Sequence, residues 1–209
     1  MKIAIFGTSG FAREVADICL AADYSEILLI EKEGGDRVRG PFPVVQEADV
    51  DSLYSDGYVF ALGVGQNKIR KAIYNKFSYL KFPDLIHPSA TFGWGQLQEI
   101  LKHSGNIIAA GVRFTNNITM GDFGIYNLNS TVGHDCVIGD YVNIAPGANI
   151  SGNVYLAEGC YIGTGAQILQ GKSIDNKLAV GAYAVVGAGA VVVKEVPVSV
   201  TVKGVPAQI

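Results

Sequence analysis

Counting by six from Ile108 leads through Phe114, Met120, Tyr126, Val132, Ile138, Ile144, Ile150, Leu156, Ile162, Ile168, Ile174, Val180 and Val186 to Val192. All fifteen positions are apolar or aromatic, without a slip. With 49% of residues apolar, one register does this by chance roughly 2 times in 100,000. The positions two residues earlier are mostly small: Ser130, Cys136, Val142, Ala148, Val154, Cys160, Ala166, Ala184 and Ala190. Glycine often follows the large residue, at 121, 133, 139, 163, 181 and 187. Alternate residues of a strand face one side, so a large and a small residue point inward together and the glycine marks the corner. This is the signature of a parallel β-helix built from hexapeptides, three short strands per coil. A sandwich or barrel would instead show turn signals at a spacing of roughly 8–12 residues. The hand of the coil does not follow from the pattern, since parallel crossovers are as a rule right-handed. Cys136 and Cys160 occupy small inward positions, which makes them core residues rather than nucleophiles.

The first third of the chain has a different rhythm. Lys2 to Phe6 reads as a buried strand, followed by the turn Gly7-Thr8-Ser9-Gly10 and a helical pattern with Phe11, Val15, Ile18 and Cys19 inward. Further strands are expected at Glu26–Ile30 and Tyr58–Leu62, the latter stopping at Gly63-Val64-Gly65-Gln66-Asn67. A helix follows, with Ile69, Ile73 and Phe77 inward and Lys68, Arg70, Lys71 and Lys76 outward. These elements suggest a small parallel, Rossmann-like α/β unit. A short strand near Asp84–Ile86 leads to His87-Pro88, so the expected domains are residues 1–86 and 87–209. The stretch from Trp94 through Gln96–Lys102 to His103 breaks the hexad pattern and reads as a short helix or loop. His87, before a proline, reads as structural.

Composition narrows the function. Gly makes up 26 of 209 residues, and only 17% are charged, with a formal net charge of −3. A basic nucleic-acid footprint is absent, and no apolar run approaches the ~18 residues of a membrane span. Three cysteines with no close pair support neither a disulfide framework nor a zinc cluster. The apolar N-terminus is too short for a signal segment. A cytoplasmic protein without a metal is expected.

His134 is a candidate for chemistry, with a solvated corner histidine as the alternative reading. It stands two residues past inward Val132, hence at a corner facing out, and its neighbour Asp135 can orient the ring and fix its tautomer. An imidazole with an ordinary pKa of about 6.5 suits a general base at neutral pH. In the α/β unit, backbone N–H groups of the Gly7–Gly10 turn, at the start of a helix, favour an anion. The middle glycine of a full dinucleotide fingerprint is missing. Glu31 ends the second strand about 20 residues later, where an acidic residue can bond a ribose hydroxyl.

Several stretches together resemble one family. They are Ile5-Phe6-Gly7-Thr8-Ser9-Gly10, Asn67-Lys68-Ile69-Arg70-Lys71, Leu85-Ile86-His87-Pro88-Ser89-Ala90, Gly133-His134-Asp135-Cys136-Val137-Ile138-Gly139-Asp140 and Lys203-Gly204-Val205-Pro206-Ala207. Spread over nearly the whole chain, they resemble the bacterial hexapeptide-repeat sugar acyltransferases. These include the sialic acid O-acetyltransferases and the nucleotide-linked 4-amino-sugar N-acetyltransferases of the bacillosamine and perosamine type. The resemblance implies a left-handed β-helix, a homotrimer, and acetyl-CoA bound between neighbouring β-helices.

It further implies roles for single residues. His134 would be the base, Asp135 its orienting partner, and Gly152 the backbone donor to the oxyanion. Asn143, where some amino-sugar enzymes carry a second histidine, would contact acetyl-CoA together with Gly152, Thr164, Gly181 and Ala182. Lys172, Lys177, Lys194 and Lys203 are candidates for its phosphates. Ser9, Gly10, Phe11, Glu31, Lys32, Gly65 and Asn67 would hold the nucleotide-sugar. The favoured reaction is acetyl transfer from acetyl-CoA to a nucleotide-linked 4-amino sugar in glycan biosynthesis. O-acetylation of a sugar such as sialic acid, or a non-catalytic trimeric binding module, stands as the alternative.

Overall fold

The computed structural model describes residues 1–32 and 37–209. It begins with a sheet of β1 (Lys2–Phe6), β2 (Glu26–Glu31), β3 (Arg37–Arg39), β4 (Phe42–Gln46) and β5 (Val59–Leu62), in spatial order β3-β4-β2-β1-β5. All neighbours run parallel except β3 against β4. Helices α1 (Gly10–Ala21), α2 (Val50–Ser55) and α3 (Asn67–Lys76) accompany it. Strand alternation sorts the two faces. Ile3 and Ile5 join Ala12, Val15 and Cys19 on one side, while Ala4 and Phe6 join Phe60, Phe77 and Phe82 on the other. Because β1 lies between β2 and β5, the chain reverses direction across the sheet there. The crevice beyond the carboxyl ends of β1 and β5 is where such sheets bind ligands.

The hexad region winds into a three-faced parallel β-helix. Among the described residues its first face stacks Leu85–Ile86 (β6), Ile107–Ile108, Ile125–Tyr126, Asn143–Ile144, Tyr161–Ile162, Val185–Val186 and Thr201–Val202. The second stacks Thr91–Phe92, Arg113–Phe114, Thr131–Val132, Asn149–Ile150, Gln167–Ile168 and Val191–Val192. The third stacks Val137–Ile138, Val154–Leu156 and Leu178–Val180. β6 pairs with Ile107–Ile108. The strand assigned to the α/β side of the 86/87 boundary is therefore the first rung of the coil.

Partners such as Ile125, Asn143 and Tyr161 follow one another at three hexads per coil. Two coils are longer. Thr91 pairs with Arg113 rather than Ala109, because α4 (Gln96–Ile100) is inserted. Tyr155 pairs with Ala179 rather than Ser173, because residues 171–177 leave the coil as a turn. That excursion corrects one position of the hexad count. Ile174 keeps the phase but lies in the turn, 53% exposed, while the other fourteen are at most 3% exposed. The corner glycines are corrected too. Gly133 and Gly163 do not take positive φ; a Cβ on either would stand 2.6 Å from backbone of the next coil. The left-handed residue comes two places later, as at Asp135 (φ 59°) and Gly165 (φ 66°).

One hydrophobic core runs from the α/β sheet into the coil interior. Outward-pointing Ile107 and Ile125 of the first face are each 1% exposed beneath the α/β domain. Arg70, expected on the solvent side of α3, is instead 1% exposed, and Ile69 is 43% exposed. The Arg70 guanidinium donates to four backbone carbonyls, those of Val64 (3.2 Å), Gly65 (2.8 Å), Phe123 (3.3 Å) and Tyr141 (2.8 Å). Burial lowers its pKa to about 10, so it is charged at neutral pH. It joins the loop after β5 to the coil edge between the third and first faces, where Lys71 also meets Glu158 at 2.5 Å.

Candidate active site

The register of the second face sets the site. Thr91, Arg113, Thr131 and Asn149 stack in successive coils. Three residues further on, Trp94, Asn116, His134 and Gly152 therefore form one column along the edge between the second and third faces. His134 Nδ1 lies 2.6 Å from Asp135 Oδ2, close enough to hold the ring proton on Nδ1 and leave Nε2 as the free lone pair. The other carboxylate oxygen of Asp135 accepts from Asn117 Nδ2, one coil below. The Asn117 bond first, and the His134 bond second, hold the Asp135 carboxyl below its ordinary range. Sequence reasoning missed Asn117; its only signal is a place one full coil before Asp135 in the hexad count.

Gly152 lies against the histidine ring. A Cβ there would stand 2.6 Å from both Cε1 and Nε2 of His134, and its φ is not positive. Glycine is thus required by the ring, not by the backbone dihedral. The Gly152 N–H donates to no group among the described residues. This freedom belongs to the coil geometry, since Pro146 fills the equivalent place on another edge. What distinguishes residue 152 is the imidazole beside it.

A cleft of about 700 Å³ opens at the crevice of the α/β sheet. Ser9, Phe11, Gly65 and Asn67 line it from one side, and Asn127, Asn143 and Tyr161 from the first face of the coil. Gly10 begins α1 between Ser9 and Phe11. Gly7 (φ 111°) makes the tight turn, and a Cβ there would meet Gly63 O at 2.9 Å. Asn143 donates to Gly65 O at 3.2 Å, which sets it in this cleft beside the expected nucleotide-sugar residues. Asn67 ties the same loop to Gly159 O. Glu31 and Lys32 do not line the cleft; Glu31 accepts from Thr8 Oγ1 at 3.5 Å, and its Oε2 is buried without a partner.

The remaining expected contacts are dispersed. Thr164 lies on the edge between the first and second faces, and Gly181 and Ala182 on the edge between the third and first. Lys172, Lys177 and Lys194 line a cleft of about 340 Å³ above Gly152; Lys203 is not among its walls. Lys177 also donates to Asp135 O at 2.6 Å. His87 Nδ1 bonds Ser89 within a turn, and His103 Nδ1 lies 3.2 Å from Asp122, so both serve the scaffold. Burial raises the thiol pKa of Cys136 to about 11 and of Cys160 to about 12, as suits inert core residues. Among the described residues, no group of three or more His, Cys, Asp or Glu could hold a metal ion, and no helix is long and apolar enough to cross a membrane. Within one chain the His134 edge is opposite the first face, and hence opposite the cleft at the α/β crevice.

Comparison with known proteins agrees with this architecture. Residues 2–77 match the PglD N-terminal domain. The chain is 33% identical over 163 residues to GDP-perosamine N-acetyltransferase of Escherichia coli O157:H7, covering 74% of this chain and 72% of that one. The acetyltransferase domain of PglB from Neisseria gonorrhoeae FA1090, solved with acetyl coenzyme A, superposes with a TM-score of 0.86 at 32% identity, covering 99% of this chain and 98% of that one. PerB of Caulobacter crescentus, solved with CoA and GDP-perosamine, gives 0.85 at 27% identity, covering 100% and 97%. The shared fold is an α/β domain followed by a left-handed parallel β-helix. The chain belongs to the hexapeptide-repeat sugar acetyltransferase family of the nucleotide-linked 4-amino-sugar N-acetyltransferases.

Proposed function

We propose that this protein transfers acetyl from acetyl-CoA to the 4-amino group of a nucleotide-linked amino sugar, in the cytoplasm. One observation carries the reading: His134 has Nδ1 engaged by Asp135, and its Nε2 edge packs against Gly152 of the next coil, whose N–H has no partner among the described residues. A proton acceptor and an oxyanion donor are thus held side by side on rigid backbone. His134 Nε2 takes the proton as the sugar nitrogen bonds to the acetyl carbon. The Gly152 N–H faces the carbonyl oxygen while it carries negative charge. Breaking the carbon–sulfur bond releases CoA, whose sulfur receives the proton that His134 held. Asp135 stabilises the imidazolium between these steps. The lysine-lined cleft above Gly152 suits the CoA phosphates. The larger cleft at the α/β crevice suits the nucleotide-sugar, with backbone N–H groups at the start of α1 for its phosphates. GDP-perosamine in the PerB complex supports this acceptor class.

The base and the cleft on opposite sides of one chain also support a homotrimer. A cyclic assembly packs one chain's His134 edge against its neighbour's cleft, and rotation closes the ring. The test is CoA-thiol release with UDP-, dTDP- and GDP-linked 4-amino sugars. Turnover is expected with at least one, and His134→Ala lowers kcat by roughly 10²- to 10⁴-fold. No turnover on any of them, or an unimpaired His134→Ala, would overturn the proposal. A monomer in sedimentation would contradict the shared site.

A further inference from the structure

Trp94 is 93% exposed, a costly place for a large apolar ring in a free-standing surface. It is not a loose loop tip. Gly93 before it donates to Phe114 O (3.0 Å) and Thr115 O (2.9 Å), and a Cβ on Gly93 would collide with Thr115 O at 2.2 Å. Gln96 after it is 2% exposed. The Gln96 amide exchanges both hydrogen bonds with the Ile118 backbone, at 2.8 and 2.9 Å, imitating a strand partner. The α4 insertion is thereby fastened to the coil on both sides of the tryptophan, and the ring is held out in a fixed place.

That place is set by the ladder. Trp94 occupies the coil position of His134, two coils below, about 10 Å away at ~4.8 Å per rung. Between them lies Asn116. A cleft of about 470 Å³ runs along this stretch, lined by Trp94, Glu99, Asn116, Asn117 and Thr119, so it reaches the residue that bonds Asp135. The lysine-lined cleft is on the other side of His134. The two interruptions of the repeat, at α4 and at 171–177, thus flank the imidazole from below and above.

We infer that Trp94 and the cleft it bounds receive the pyranose ring of the acceptor, the indole covering the ring's C–H face while its amine stands at His134. This rests on the acetyl-transfer reading above. An aromatic face beside amide, hydroxyl and carboxylate groups matches a sugar, which has an apolar ring face and a polar rim. The opposite cleft, with three lysines, matches the polyanionic co-substrate instead.

Trp94 is the only tryptophan in the chain, so its emission reports this position alone. With the nucleotide-linked amino sugar that the wild type turns over, saturation is expected to shift or quench the emission. Acetyl-CoA alone, or the matching nucleoside diphosphate alone, leaves it unchanged. Trp94→Ala is expected to raise the KM for the amino sugar tenfold or more, with little change in the KM for acetyl-CoA, and Trp94→Phe to restore most of the loss. Unchanged emission with a turned-over acceptor, or wild-type kinetics in Trp94→Ala, overturns the assignment while leaving the acetyl-transfer reading intact. So does a full emission change with the nucleoside diphosphate alone, or dissociation of the assembly in Trp94→Ala by sedimentation. Absence of turnover by the wild type would instead overturn both.

Discussion

Two edges of the same coil have the same backbone and different uses. Along one, Trp94, Asn116, His134 and Gly152 stack in register; along the next, Leu128, Pro146 and Thr164 do so with the same hydrogen bonds, Gly147 N–H to Leu128 O and Gly165 N–H to Pro146 O, at 2.8 and 2.9 Å. Both edges place a left-handed residue after the column. The rung spacing and the corner geometry are therefore common property. Only the first edge has an imidazole fixed by a carboxylate, a glycine clearing space for it, and an insertion on either side. The coil supplies positions, and side chains and interruptions decide which edge has chemistry.

The sharpest test of that contrast compares two glycines. Gly152→Ala forces the His134 ring aside and is expected to lower kcat by about 100-fold. Its Tm hardly moves, because the displaced side chain is half exposed. Gly189→Ala meets no atom within 4 Å but must hold φ near 65°. It should cost about 1 kcal/mol, or about 2–4 °C in Tm, with kcat unchanged. If Gly152→Ala loses stability and keeps kcat, the two edges are alike after all. Calorimetry and steady-state kinetics on both variants decide it.

Arg70→Met probes the third edge, where the α/β domain docks. Four carbonyls, of which those of Phe123 and Tyr141 are buried, lose their charged donor, and a destabilisation of about 3 kcal/mol is expected. Thermal unfolding should show a fall of roughly 6–12 °C. The acceptor KM rises with it, since Gly65 in the cleft wall is released. An unaltered melting curve would mean the domains are held elsewhere.

The smallest effect is expected at Asn117→Ala. Removing the strongest cause of the lowered Asp135 pKa moves that carboxyl back up toward the ordinary range. A lowered carboxylate pKa contributes stability above its unfolded value and loses it as pH falls through its folded value. In the variant the contribution is smaller, and its loss, which starts at the same unfolded value, is complete at a higher pH. A several-fold fall in kcat is expected, growing toward acid pH. NMR titration of Asp135 checks the direction, and an unmoved carboxyl would show that Asn117 is incidental.

Much of this was legible in the sequence. The hexads mark fourteen of fifteen inward residues correctly, because each inward side chain is selected by the same narrow interior. β1, α1, β2, β5 and α3 follow from ordinary periodicity, and His134-Asp135 from adjacency in the chain. What escaped has a common cause, namely partners distant in sequence. β3 and α2 are too short to show a period, and β4 carries Pro43 within it, which reads against a strand. Arg70 reads as a solvent-facing charge on α3, since the carbonyls that bury it belong to Phe123 and Tyr141. Asn117 reaches Asp135 only across a coil. Ile174 keeps the period by the accident that its excursion is one hexad long.

The contact between His134 and Gly152 crosses from one coil to the next, so their separation is a rung of the ladder. A rung is set by the length of backbone hydrogen bonds, which no side-chain replacement in the interior can stretch. Base and oxyanion donor are mounted on a ruler whose divisions are the same in every parallel sheet. Changes to the core should therefore lower the temperature at which the ruler melts long before they alter its divisions.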